Sequence, residues 1–145
     1  MQEPQNEFAV VPLSWRIVST RLRKDLMKKP TKASARVGTH WHGDPATKKM
    51  TLVLDLTIVD KGAQNPVELG FVSLEGVFQL SGITSSGVIA EVPAEMIIRI
   101  GQKVCDTAYG ILLAKSVGTA LHGLAMPEVP YQAFLPPGYP STMLN

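Results

Sequence analysis

Long apolar runs are missing from this chain: runs such as Met96–Ile97–Ile98 fall far short of the ~20 residues that a transmembrane helix needs. Cysteine is almost missing as well. Cys105 alone cannot make an internal disulfide, and its neighbours Val104 and Asp106 supply no activating base. We read it as a small core-facing residue of a helix. There is no phosphate-binding glycine loop, no G-x-S-x-G elbow and no H-E-x-x-H helix, and the glycines of SGITSSG lack the lysine of a phosphate cradle. No internal repeat divides the chain. The N-terminal MQEPQNEF carries acids and proline where an export signal would be basic and then apolar, so the expectation is a cytoplasmic protein.

What is present is ordinary globular composition, 45% hydrophobic and 18% charged over 145 residues, which fits one domain with one core. A net charge of +2 is too small to imply nucleic acid by itself. Its distribution is uneven, since Arg16, Arg21, Arg23, Lys24, Lys28, Lys29, Lys32, Arg36, Lys48 and Lys49 all fall in the first third. We read these as solubilising residues on strand edges and a flexible loop. A module that binds RNA or an acidic partner stays open as an alternative. His40, His42 and Asp44 form the one metal-like cluster, with His40 and His42 on one strand face. Zinc there needs a third ligand from His122 or a distant acid. The bland reading, a pair of exposed histidines beside a turn, is preferred, and no metal, cofactor or catalytic residue is assigned.

Met1–Glu7 reads as a frayed polar tail. After Pro12, Trp15, Ile17, Ser19 and Arg21 alternate with Arg16, Val18, Thr20 and Leu22, an incomplete β pattern. Lys24–Lys32, broken by Pro30, reads as a loop, and Ser34–Trp41 as a second strand stopped by His42–Gly43–Asp44–Pro45. The clearest strand is Lys49–Lys61, where Met50, Leu52, Leu54, Leu56 and Ile58 share one face. After the turn Lys61–Pro66 the chain returns antiparallel through Val67–Ile83, with a bulge expected at Glu75–Gly76. This last strand is long and carries few charges, so it is expected at a subunit contact.

A Gly/Ser loop, Thr84–Val92, leads to Pro93 and a helix expected over Pro93–Thr119, ended by Gly118 or Gly123. Met96, Ile97, Ile100, Val104, Ala108, Ile111 and Leu112 form its apolar stripe, while Gly101, Ala108 and Gly110 permit close approach. The segment Met126–Pro140 holds five prolines with Tyr131, Phe134 and Tyr139 between them, and is expected to lie extended.

In wording as well as pattern, GVFQLSGI at Gly76–Ile83 resembles the last-strand segment of the SecB-type protein-export chaperones. The helix opening at Pro93 and PEVPYQAF at Pro127–Phe134 are also similar to that family, and the likeness spans roughly Trp15–Phe134. It implies a single SecB-like α+β domain over residues 1–145: a four-stranded antiparallel sheet, then a long C-terminal helix and a proline-rich tail. It further implies a homo-oligomer, a tetramer, that binds unfolded or extended polypeptide clients in surface grooves. Client contacts would then fall to Trp15, Trp41, Phe71, Phe78, Tyr131 and Phe134, and oligomer contacts to Phe71, Leu74, Phe78, Met96, Ile100, Val104 and Leu112. Delivery to the SecA export motor is not implied. Motor-serving members carry an exposed-face acid where Val72 aligns, and end in an amphipathic helix and zinc tail where this sequence has PPGYPSTMLN. A non-chaperone assembly subunit of the same fold is the rival reading.

Overall fold

The computed structural model describes residues 9–25, 32–44, 46–62, 67–81, 92–122 and 125–136. The expected Met1–Glu7 tail, the Pro30 break, Pro66, the Gly/Ser connection as far as residue 91, Gly123 and the chain beyond Pro136 lie outside the described residues. Four strands, β1 (Ala9–Leu22), β2 (Ala33–Asp44), β3 (Lys49–Asp60) and β4 (Val67–Ser81), form one antiparallel sheet in the order β1-β4-β3-β2. A helix, α1 (Ala94–Lys115), follows the sheet, giving an α+β architecture. Among the described residues no helix is long and apolar enough to cross a membrane.

The core is the meeting of two periodicities. Met50, Leu52, Leu54, Leu56 and Ile58 of β3 stand opposite Phe78, Gly76, Leu74, Val72 and Gly70 of β4, so both strands offer one continuous apolar face. On α1, Ile97, Ile100, Val104, Ala108 and Leu112 close over that face and are buried in turn. Each large aliphatic side chain removed from water in this way contributes about 1.5–3 kcal/mol before the ordering cost.

The sheet is longer at its ends than the sequence pattern indicates. β1 begins at Ala9 and runs through Pro12, which an edge strand tolerates because one side of its backbone makes no ladder. Its alternation is incomplete because the register against β4 shifts twice, between Pro12 and Ser14 and between Ile17 and Ser19. Each shift adds a residue and exchanges the faces. The bulge expected at Glu75–Gly76 is absent, for pairing runs through both residues on both sides of β4; the irregularity against β3 lies instead between Ile58 and Val59. Gly76 has another task, since a Cβ there would stand 2.9 Å from Phe78 Cε2 and 3.2 Å from Trp15 Cζ3.

Helix α1 opens on Pro93, whose carbonyl accepts from the Met96 and Ile97 N–H groups. It ends at Lys115, short of the expected Thr119. The Ser116 hydroxyl donates to the Leu113 carbonyl at 2.8 Å and competes with continuation, and Gly118 then takes a φ of +84° that reverses the chain. The tail is not wholly extended: Tyr131–Phe134 make one turn of 3-10 helix, with Ala133 N–H donating to Pro130 and Leu135 N–H to Gln132. The prolines that forbid a longer helix leave room for this single turn.

Candidate functional site

A helix about 10–12 Å across covers little more than two strands spaced ~4.8 Å apart. Here α1 lies chiefly on β4 and β3. The tail covers β2, where Trp41 Nε1 donates to the Phe134 carbonyl at 3.1 Å. On β1, Val10 and Leu22 pack against the core, but most of the strand between them is covered by neither. Among the described residues the exposed large apolar side chains are Val11, Leu13, Trp15, Ile17, Val18, Val117 and Tyr131, and five of these seven stand on β1. Leu13 and Val18 are the residues left without a β4 partner at the two register shifts.

Edge strands are normally protected by charge. The arginines of β1 stay exposed but pair sideways with carboxylates of β4. Arg16 pairs with Glu75 at 3.1 Å, and Arg21 makes a two-pronged contact with Glu68 at 3.0 and 3.1 Å while lying 4.0 Å above the Phe71 ring. The Arg21 hydrogen bonds hold the Glu68 carboxyl below its ordinary range. Beside these paired cations the edge presents the exposed apolar side chains of Val11, Leu13, Trp15, Ile17 and Val18.

Between β1 and the first half of α1 runs a cleft of about 240 Å³. Val10, Pro12, Phe78, Met96 and Ile100 form its apolar lining, with Arg99 and Lys103 also beside it. Arg99 pairs with Glu95 one turn back. A second cleft, of about 360 Å³, lies between α1 and the tail, where Cys105, Asp106, Met126, Val129 and Phe134 meet.

The residues singled out from sequence separate into groups. Trp15 (39% exposed) and Tyr131 are accessible, whereas Phe71 is half-buried beneath Arg21 and Trp41 is half-buried against the tail. Phe78 and Phe134 are buried within the chain's own core, as are Leu74, Met96, Ile100, Val104 and Leu112. These seven fill the space between sheet, helix and tail, and of them Phe78, Met96 and Ile100 also form the floor of the first cleft. Strand β4 is paired on both sides and is not an edge. Val72 likewise lies under α1 rather than on the exposed face, and its open-face neighbours Phe71 and Ser73 are both uncharged. The exposure of Val11, Leu13, Ile17 and Val18 has no local mark in the sequence. The run of apolar residues in β1 was visible, but which strand lies at the edge is not a local property.

The histidine cluster has structural company. His40 Nε2 lies 3.8 Å from Asp55 on the next strand. Asp44 serves the β2–β3 turn, accepting from the Ala46 N–H at 3.0 Å and the Thr47 hydroxyl at 2.9 Å, and these bonds keep its carboxyl below its ordinary range. Among the described residues no three of His, Cys, Asp and Glu come together as a metal site. Cys105 is buried, and burial, with Asp106 adding to it, pushes its thiol up to about 11, the reverse of an activated nucleophile. No protein-family model matches this chain, and no curated protein matches it.

Proposed function

We propose that this protein is a SecB-like chaperone that holds unfolded or extended polypeptide clients, acting in the cytoplasm as a homo-oligomer without catalysing a reaction. The observation that carries the reading is the uncovered apolar edge of β1, which adjoins the cleft between β1 and α1. Exposed apolar side chains gathered along one strand mark a place where other chains bind. Pairing of β1 with the same strand of a second copy would join two sheets, and the clefts of the two copies would then flank a shared apolar floor. A tetramer follows if two such pairs stack on their helix sides. Delivery to the SecA motor forms no part of the proposal.

Two measurements test it together. Light scattering should give a mass above that of one chain, and substoichiometric protein should suppress aggregation of a chemically unfolded model protein. A monomer that leaves aggregation unchanged overturns the reading. An oligomer without client binding favours the rival, an assembly subunit, because the same edge would then be consumed in pairing. Nucleic-acid binding is less favoured, since Arg16, Arg21 and Arg23 already have carboxylate partners in Glu75, Glu68 and Asp25.

A further inference from the structure

Residues 125–136 lie on the body of the protein without joining its sheet. Pro130 and Leu135 on either side of the short turn are extended, with ψ of 142° and 139°. Two contacts at Phe134 fasten the segment, beside the packing of Met126, Val129 and Leu135 against the core. The buried Phe134 side chain lies across Gly101 of α1, so close that a Cβ on Gly101 would stand 2.6 Å from Phe134 Cβ and Cγ. The second is the bond from Trp41 Nε1 to the Phe134 carbonyl. The notch at Gly101 is kept against local propensity, because glycine is a poor residue for the middle of a helix.

We propose that residues 125–136 are a detachable strap that occupies, within the chain, a groove open to unfolded clients, so that release of the strap governs client binding. The proposal rests on the polypeptide-binding function argued above. Its warrant is the chemistry of the two contacts. One takes an aromatic ring into a notch in a helix, and the other takes a backbone carbonyl. Neither reads the side chains around the ring, so an extended client segment bearing one aromatic residue satisfies both. The strap is itself such a segment, broken by Pro127, Pro130 and Pro136 and carrying Val129, Tyr131 and Phe134. A segment outside the hydrogen-bonded ladder of the sheet opens at a lower free energy than the strands within it.

Cys105 reports the opening. It is the only cysteine, it is 2% exposed, and it borders the cleft that Phe134 and Val129 close. Two variants separate release from occupancy. Phe134→Ala frees the strap and leaves the notch open; Gly101→Ala expels Phe134 but fills the notch, while favouring the helix. Native-state labelling of Cys105 by a thiol reagent should be faster by about tenfold in both. Affinity for reduced, carboxymethylated lactalbumin should rise in Phe134→Ala and not in Gly101→Ala, because only the former has a larger fraction of groove both open and empty. Adding a synthetic peptide of residues 126–136 to Phe134→Ala should restore slow labelling. Circular dichroism confirms that the variants are folded; should Phe134→Ala fail to fold, Trp41→Phe takes its place, with labelling about fivefold faster from loss of one hydrogen bond. Unchanged labelling in the folded variants overturns the strap. Faster labelling with no gain in client affinity, or an equal gain in both variants, overturns the shared groove, and if the parent still binds client the proposed function survives. If the parent and both variants bind no client, the function itself is wrong.

Discussion

The indole of Trp15 meets the ring of Phe78 edge-on, with centroids 5.6 Å apart and planes at 85°, in the space that Gly76 leaves by having no side chain. The pair joins two environments: Phe78 is fully buried under α1, and Trp15 reaches the uncovered edge. Edge-to-face geometry adds about 0.5–1.5 kcal/mol beyond area burial. Gly76→Ala should therefore destabilise the protein by about 1–3 kcal/mol, because the buried Phe78 cannot give way and the central strand cannot shift. Urea denaturation followed by tryptophan fluorescence measures this, and a shifted folded-state emission should accompany the loss as Trp15 is pushed outward. An unaltered midpoint would mean that the rings separate freely.

Ile100 and Ile17 should answer the same substitution differently. Ile100 is 2% exposed between helix and sheet, so Ile100→Asp buries an unpaired charge and should unfold the chain rather than dissociate an oligomer. Ile17 is 49% exposed on β1, so Ile17→Asp should leave the circular-dichroism spectrum intact and lower the solution mass. A folded Ile100→Asp protein of reduced mass would place the subunit contact on α1 instead.

Hydrogen exchange should rank the strands by their neighbours. Amides of β4 between Phe71 and Leu80 are paired with β1 or β3 and should exchange slowest. If β1 pairs with a second copy, its amides should slow as protein concentration rises across the association range, while those of β4 stay constant. Concentration-independent exchange in β1 would argue that the edge is open.

Acid should reveal Asp44. Its folded-state value is lowered by bonds from the Thr47 hydroxyl and the Ala46 N–H, so the stabilisation is complete above the ordinary carboxylate range and is lost as pH falls through the lowered value. Asp44→Asn should accordingly be less stable than the parent near neutral pH, with the gap closing in acid. Thermal midpoints across that range check the sign, and a constant gap would assign the effect to the turn's geometry rather than to charge.

Much of this architecture is legible in local pattern. Met50, Leu52, Leu54, Leu56 and Ile58 declare one buried face of β3 because side chains alternate in any strand, whatever its neighbours. The same holds for Ile97, Ile100, Val104 and Ala108 on α1, and for the burial of Cys105 among them. The bulges of β1 were not legible, since Leu13 and Val18 break an alternation without announcing which residue is the extra one.

The sequence by itself determined the four strands, the helix after Pro93 and the apolar faces that form the core, because each depends on residues adjacent or a few positions apart. Tertiary structure alone decided that β4 is central and β1 an edge, that Gly76 makes room for two rings rather than a bend, and that Phe134 fills the notch at Gly101 under the hydrogen bond from Trp41. Periodicity records which way a side chain points. What it meets there depends on strand order and on segments far apart in the chain, such as Trp41 and Phe134, that come together only when the core closes.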